Sequence, residues 1–157
     1  MRSIAAVPSS PYIQQLREVI GTALIFIPAV SVLAVYGERV LLVYEVDQEA
    51  WSTPGGAMEV DERPEDAARR EVLEETGLAV DIGDIVTVLG GPQFRVRYRN
   101  GDEIAYVTTV YRATVVGGAF QPDGDEVSAV EWFPIDALRD VNLNTFASEL
   151  FRAIGWL

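Results

Sequence analysis

Residues 69–77, RREVLEETG, place Glu71, Glu74 and Glu75 within five positions. On a helix, positions i, i+3 and i+4 share one face, and like charges there repel by about 0.2–0.5 kcal/mol per pair. Such a face is either open to solvent or holds a cation. At about 100° per residue, Ala67 and Ala68 fall between the acids, and Asp66, Arg69 and Leu73 lie opposite. A solvated acidic face does not carry the smallest side chains of its helix. These let another segment approach closely, and carboxylates buried there without compensation are prohibitively costly. Glu oxygens suit a hard divalent cation such as Mg²⁺, with Mn²⁺ as the alternative. Upstream, Gly55 and Gly56 allow close backbone approach. Glu62 stands just before the helix, and Arg70 lies one turn from Glu74, within reach to orient it.

Composition narrows the chemistry. The chain has 157 residues, 49% hydrophobic and 23% charged, with no Cys and no His. Disulfides, thiolate or imidazole metal sites and His general bases are therefore excluded. The work falls to carboxylates, Arg, hydroxyls, backbone groups or a hard metal. A formal net charge of -12 opposes binding to nucleic acid or to anionic lipid. A small phosphorylated substrate remains compatible where metal neutralises the local field.

These residues need a scaffold. Residues 64–76 read as a helix opened by Pro64 and closed by Gly77, with Glu65 and Asp66 at its positive end. A short N-terminal helix is expected near 11–19. The uncharged run 19–37 has the length of a membrane span. Its Val, Ile and Ala content, Pro28 and the following YGERVLLVYE instead indicate two buried strands with a hairpin at Gly37-Glu38. Segment 51–62, WSTPGGAMEVDE, reads as a loop. One strand is expected over 79–90, bulged at its glycines. Two more should be joined at Asn100-Gly101, followed by a loop to Glu126 and a strand, VSAVEWFPI. Residues 136–141 and about 143–155 read as helical. Residues 1–157 thus form a single α+β domain. No targeting segment is evident, so a cytoplasmic location is expected.

Residues 56–78, GAMEVDERPEDAARREVLEETGL, resemble the Nudix box, G-x5-E-x7-R-E-U-x-E-E-x-G-U, where U is a bulky aliphatic. Gly56, Glu62, Arg70, Glu71, Val72, Glu74, Glu75, Gly77 and Leu78 fill every defined position. Seven fixed letters at about 7% usage match by chance on the order of once in a hundred million positions. The EVLEE core alone is more often a solvated helix face. Trp51 and the Pro54-Gly55-Gly56 approach also resemble the family, as do the later strands, over roughly residues 20–140. Arg63 departs from the small N-cap common in relatives, which costs about 1 kcal/mol of helix stability.

The resemblance implies a mixed β-sheet sandwiched between helices, and hydrolysis of a nucleoside diphosphate linked to another moiety. It implies metal ligation by the Gly55 carbonyl, Glu71, Glu74 and Glu75, with Glu74, Glu75 and Arg70 serving catalysis. A general base comes from the box or from a later loop. Here DGDE offers Asp123, Asp125 and Glu126, of which Glu126 is preferred because it begins a strand. Arg95, Arg97 and Arg99 alternate with Phe94, Val96 and Tyr98, giving one basic strand face. That face would hold substrate phosphate or ribose, or else face solvent. Trp51, Phe94 and Tyr98 are candidates to stack a base. ADP-ribose or a similar nucleotide sugar ranks first, although Pro92 lies off the spacing of ADP-ribose-cleaving relatives. A nucleoside triphosphate and a dinucleoside polyphosphate follow. A non-catalytic nucleotide-sensing module and an isoprenoid diphosphate isomerase are the other classes. The latter relies on a cysteine absent here. The long apolar run, with the pairing habit of relatives, predicts a homodimer.

Overall fold

The computed structural model describes residues 10–157. In order it contains α1 (Pro11–Ile20), β1 (Ile25–Tyr36), β2 (Arg39–Glu45), β3 (Ala50–Ser52), β4 (Gly55–Ala57), α2 (Pro64–Thr76), β5 (Leu78–Leu89), β6 (Arg95–Arg97), β7 (Glu103–Gly118), β8 (Val127–Pro134) and α3 (Thr145–Ala153). Short 3-10 turns span Pro92–Phe94 and Ile135–Asp140.

The strands form one mixed sheet. β1 runs parallel to β7 from Ile25↔Ile104 to Ala34↔Ala113. β5 and β6 follow one another antiparallel to β7 along its other edge. β2 continues from β1 and pairs β3 and β8, while β4 adds to β1 at Ala29–Ser31. The path is β3-β2-β1-β7-β5.

The apolar run now has a physical reason. Strand side chains alternate between faces, and the centre of β1 and β2 is covered on both. Val30, Val32, Ala34, Leu41 and Val43 pack with Ala67, Ala68 and Val72 of α2. Leu33, Val40 and Leu42 pack with Ala147, Leu150 and Phe151 of α3. α1 closes a third cluster, setting Ile13 and Leu16 against Ile25, Ile27, Tyr98 and Ile104. The centre of the run is thus buried within one chain, while Val19, Leu24, Phe26 and Tyr36 at its two ends are exposed. Among the described residues no helix is long and apolar enough to cross a membrane.

The expected hairpin forms, with Tyr36↔Arg39 flanking Gly37-Glu38. β5 breaks register between Ile82 and Ile85, around Gly83. Segment 51–62, expected as a loop, instead holds most of β3 and all of β4, each three residues long. β3 is the return arm of a hairpin with β2, Glu45↔Ala50 to Val43↔Ser52, whereas β4 pairs with β1, which is remote in sequence and leaves no local signal. The arginine strand is shorter than its alternation suggested, ending at Arg97 before the Asn100-Gly101 turn. The C-terminal helix covers Thr145–Ala153, inside the expected 143–155.

Candidate active site

α2 starts at Pro64 after an N-cap, Arg63, that makes no side-chain capping bond, with Glu65 and Asp66 in the first turn. It ends at Gly77, φ 78°, whose N–H donates to the Leu73 carbonyl. A Cβ at Gly77 would lie 2.5 Å from the Ala119 carbonyl, so space and conformation both require glycine there. The closure fixes the last turn, where Glu74 and Glu75 stand.

Ala67, Ala68 and Val72 are fully buried against the sheet, and Glu71 and Glu75 are buried beside them. Glu74 points outward, its side chain 57% exposed. The backbone N–H of Gly55 donates to Glu75 Oε2 at 3.0 Å. A Cβ on Gly56 would lie 2.6 Å from Glu71 Oε1. The glycines of β4 therefore let two carboxylates reach the sheet.

Arg70 gathers the acids. Its Nε and Nη2 donate to the two oxygens of Glu62 at 2.7 and 3.0 Å. Nη1 donates to Glu71 at 2.9 Å and to Glu74 at 3.3 Å, and Nη2 also reaches the Ala57 carbonyl at 3.1 Å. These hydrogen bonds hold Glu62 below the usual carboxylate range. For Glu71 the balance reverses. Burial outweighs Arg70 and pushes the carboxyl up to about 7, with Glu74 and Glu126 adding repulsion. Burial, then Glu71, raises Glu75 well above its ordinary value against the Gly55 hydrogen bond.

Among the described residues no three acids form a preformed cation cage. The donor set nevertheless fits a hard divalent ion: two buried carboxylates raised by desolvation and mutual repulsion, a third at the surface, and no His or Cys.

These groups border a cleft of about 810 Å³, within the range of small-molecule sites. Gly55, Gly56 and Glu75 line it, as do Arg95, Arg97, Phe94, Tyr98 and Glu126. Glu126 reaches it from the loop before β8. There Asp123 Oδ1 accepts the N–H groups of Asp125, Glu126 and Val127 at 2.9, 3.0 and 3.0 Å. Burial first, then Asp123 and Glu74, raises the Glu126 carboxyl.

Two expected residues lie elsewhere. Trp51 is wedged edge-on between Tyr44 and Phe133, centroids 5.3 and 4.7 Å away, packed toward α3 and not among the cleft-lining residues. Period-two alternation sends it to the opposite face from Ser52. Arg99 falls in the turn beyond β6, also outside the lining. Arg95 and Arg97 line the cleft while pairing with Glu103 at 2.9 and 3.6 Å. Sequence reading missed Glu45, Asn144 and Phe146, which line the same cleft. Their signals were weak: a charge ending the apolar run of β2, and an Asn-Thr helix start.

A model of the NUDIX domain matches residues 26–156. A "MutT-like protein" of Streptomyces ambofaciens is 29% identical over 143 residues, covering 91% of this chain and 86% of that one. A solved structure of an ADP-ribose pyrophosphatase from Streptococcus suis superposes with a TM-score of 0.67 at 26% identity, covering 83% of this chain and 87% of that one. A UDP-X diphosphatase structure, at 22% identity and a TM-score of 0.67, covers 96% of this chain and 73% of that one and shares the fold. The chain spans 57% and 39% of the length of two further relatives, from Bacillus subtilis and Mycobacterium tuberculosis.

Proposed function

This chain belongs to the NUDIX family, and on that premise we propose that it hydrolyses the phosphoanhydride bond of a nucleoside diphosphate linked to a further group. The observation that carries this reading is the Arg70 clamp. One guanidinium holds Glu62, Glu71 and Glu74 beside a cleft into which Glu75 and Glu126 also face.

Glu71, Glu74 and Glu75, with the Gly55 carbonyl, would hold the divalent ion, Mg²⁺ or Mn²⁺. When bound, such an ion neutralises phosphate oxygens and acidifies water. Arg70 keeps Glu71 and Glu74 oriented while the site is empty of charge-balancing ligand. Glu126, its carboxyl raised by burial, accepts a proton from the attacking water. The new bond joins water oxygen to phosphorus, and the bond from phosphorus to the bridging oxygen breaks. A nucleoside monophosphate and a phosphorylated remainder leave.

A nucleotide sugar is favoured over a triphosphate because the cleft, about 810 Å³, is lined by Arg95 and Arg97 in addition to the box residues. These two cations suit a bridged diphosphate and its second sugar. The test is a phosphate-release screen over nucleotide sugars, triphosphates and dinucleoside polyphosphates, with products identified by mass. Cleavage of a phosphoanhydride within a nucleotide sugar is expected. No turnover on any of them with Mg²⁺ or Mn²⁺ would overturn the reading and favour a nucleotide-sensing module.

A further inference from the structure

The cleft lining includes hydroxyls that the acid cluster does not use. Ser31, Ser52, Thr53 and Thr108 border it, and all are buried. Two of them meet: Ser31 Oγ and Thr53 Oγ1 lie 2.6 Å apart. Either hydroxyl can donate. Where Thr53 donates, the Ser31 proton can turn to the Pro54 carbonyl, 3.4 Å away. Ser31 belongs to β1, while Thr53 and Pro54 are the whole connection between β3 and β4. In either sense the pair ties that connection to β1.

The tie acts on one peptide unit. The Pro54 carbonyl accepts the Val32 N–H at 2.9 Å. At the other end of the same unit, the Gly55 N–H donates to Glu75 Oε2 at 3.0 Å. A peptide unit is planar and stiff, so a tilt at its carbonyl end re-aims its N–H. Gly55 also stands opposite Ser31 in the β1–β4 ladder, and a Cβ on it would lie 2.8 Å from Ser31 Cα. β1 thus grips Gly55 through the backbone, and grips the two residues before it through the Ser31 side chain.

Packing alone does not call for hydroxyls at these positions. By alternation the neighbours of Ser31 on its face of β1 are Ala29 and Leu33, both apolar. A buried hydroxyl is costly unless it is bonded, and an apolar pair of matched shape can replace two bonded hydroxyls at little cost in stability. Such a pair would not supply direction. A hydrogen bond restricts distance and angle together, whereas apolar contact leaves the connection room to slide.

We propose that Ser31 and Thr53 are positioning residues whose hydroxyl pair sets the Pro54–Gly55 peptide, and through it the Glu75 carboxylate, for holding a divalent ion. The proposal rests on the reading of Glu75 as an ion ligand given above.

The test titrates Mn²⁺ alone into wild-type protein, Ser31→Ala, Thr53→Val, Thr53→Ser and the double variant Ser31→Ala/Thr53→Val by calorimetry, and measures the Tm of each in chelator. Thr53→Val keeps the shape and removes the hydroxyl, whereas Thr53→Ser keeps the hydroxyl. Ser31→Ala and Thr53→Val should each bind Mn²⁺ about tenfold more weakly, with Thr53→Ser within about threefold of wild type. The double variant should lose little more than Ser31→Ala, because the two residues share one hydrogen bond. A weakening of less than about threefold in both Ser31→Ala and Thr53→Val would overturn the proposal, since a merely structural pair would move Tm alone. Additive losses in the double variant would also overturn it, as would an equal loss in Thr53→Ser. Should Ser31→Ala fail to fold, the two Thr53 variants decide. Wild-type protein that binds no Mn²⁺ would remove the ion-ligand reading and the proposal with it. The expected Mn²⁺ pattern in a protein that hydrolyses no nucleotide would sustain the positioning role and sink the enzymatic reading.

Discussion

The Gly55 N–H donates to Glu75 Oε2 at 3.0 Å, joining β4 to the last turn of α2. That bond anchors a buried carboxylate that, among the described residues, pairs with no arginine, since Arg70 is committed to Glu62, Glu71 and Glu74.

A divalent ion should therefore be required for activity and should stabilise the fold. Excess chelator is expected to abolish turnover, with Mg²⁺ or Mn²⁺ restoring it and raising Tm. Full turnover in chelator would exclude the ligand assignment.

Glu75→Gln keeps an acceptor for the Gly55 N–H but removes the buried charge. Turnover should fall by two or more orders of magnitude, about 3 kcal/mol of barrier, while Tm in chelator rises or holds. A variant that fails to fold would make the cluster structural, and a wild-type rate would refute its catalytic role. Glu74→Gln should lower turnover similarly without the gain in Tm, because Glu74 is exposed.

Stability should depend on pH with a definite sign. Burial raises Glu45 and Glu71 to about 7, and Glu75 well above its ordinary value of 4.5. Between about pH 4.5 and 7 the folded protein retains protons that the unfolded chain has released, so stability falls as pH rises through the folded values. The metal-free protein should melt higher at pH 5 than at pH 8, and Mg²⁺ should narrow the gap by favouring the ionised acids. A melting curve that improves steadily from pH 5 to 8 in chelator would contradict this.

Glu126→Gln should lower kcat by about a hundred- to ten-thousandfold and remove the acidic limb of the pH–rate profile, leaving KM little changed. An unaltered profile would move the base to another acid.

Arg97 is the less committed of the cleft arginines, 3.6 Å from Glu103 with its side chain 76% exposed. Arg97→Ala should raise KM about tenfold on the best substrate while sparing kcat. A KM unchanged within twofold would assign it to solvent.

The acid helix was legible because its signals are local: Pro64, Gly77 and acids at helical spacing with alanines between them. The Asn100-Gly101 turn and the hairpin at Gly37 were legible for the same reason. Glu45 was not, because its partner Asn144 lies 99 positions away and no local pattern marks the pair. Trp51 was misdirected because alternation fixes only that it opposes Ser52. Which face meets the cleft is decided by β2, β8 and α3 closing around it. The short β4 escaped notice because its glycines read as loop while its strand geometry comes from β1, remote in sequence; β3 escaped because three residues of a hairpin with β2 are too short to show an alternation.

The parallel ladder from Ile25↔Ile104 to Ala34↔Ala113 also sets the order in which competence appears during folding. Its register can close only after the whole intervening chain, box included, has been synthesised and drawn back. Local helices form within microseconds, but such long-range pairing is slow. The α2 acids can therefore be helical long before β1 and β7 build the wall they face. On refolding from denaturant, helical signal should return first, and catalytic activity should return only with the slower pairing of β1 and β7.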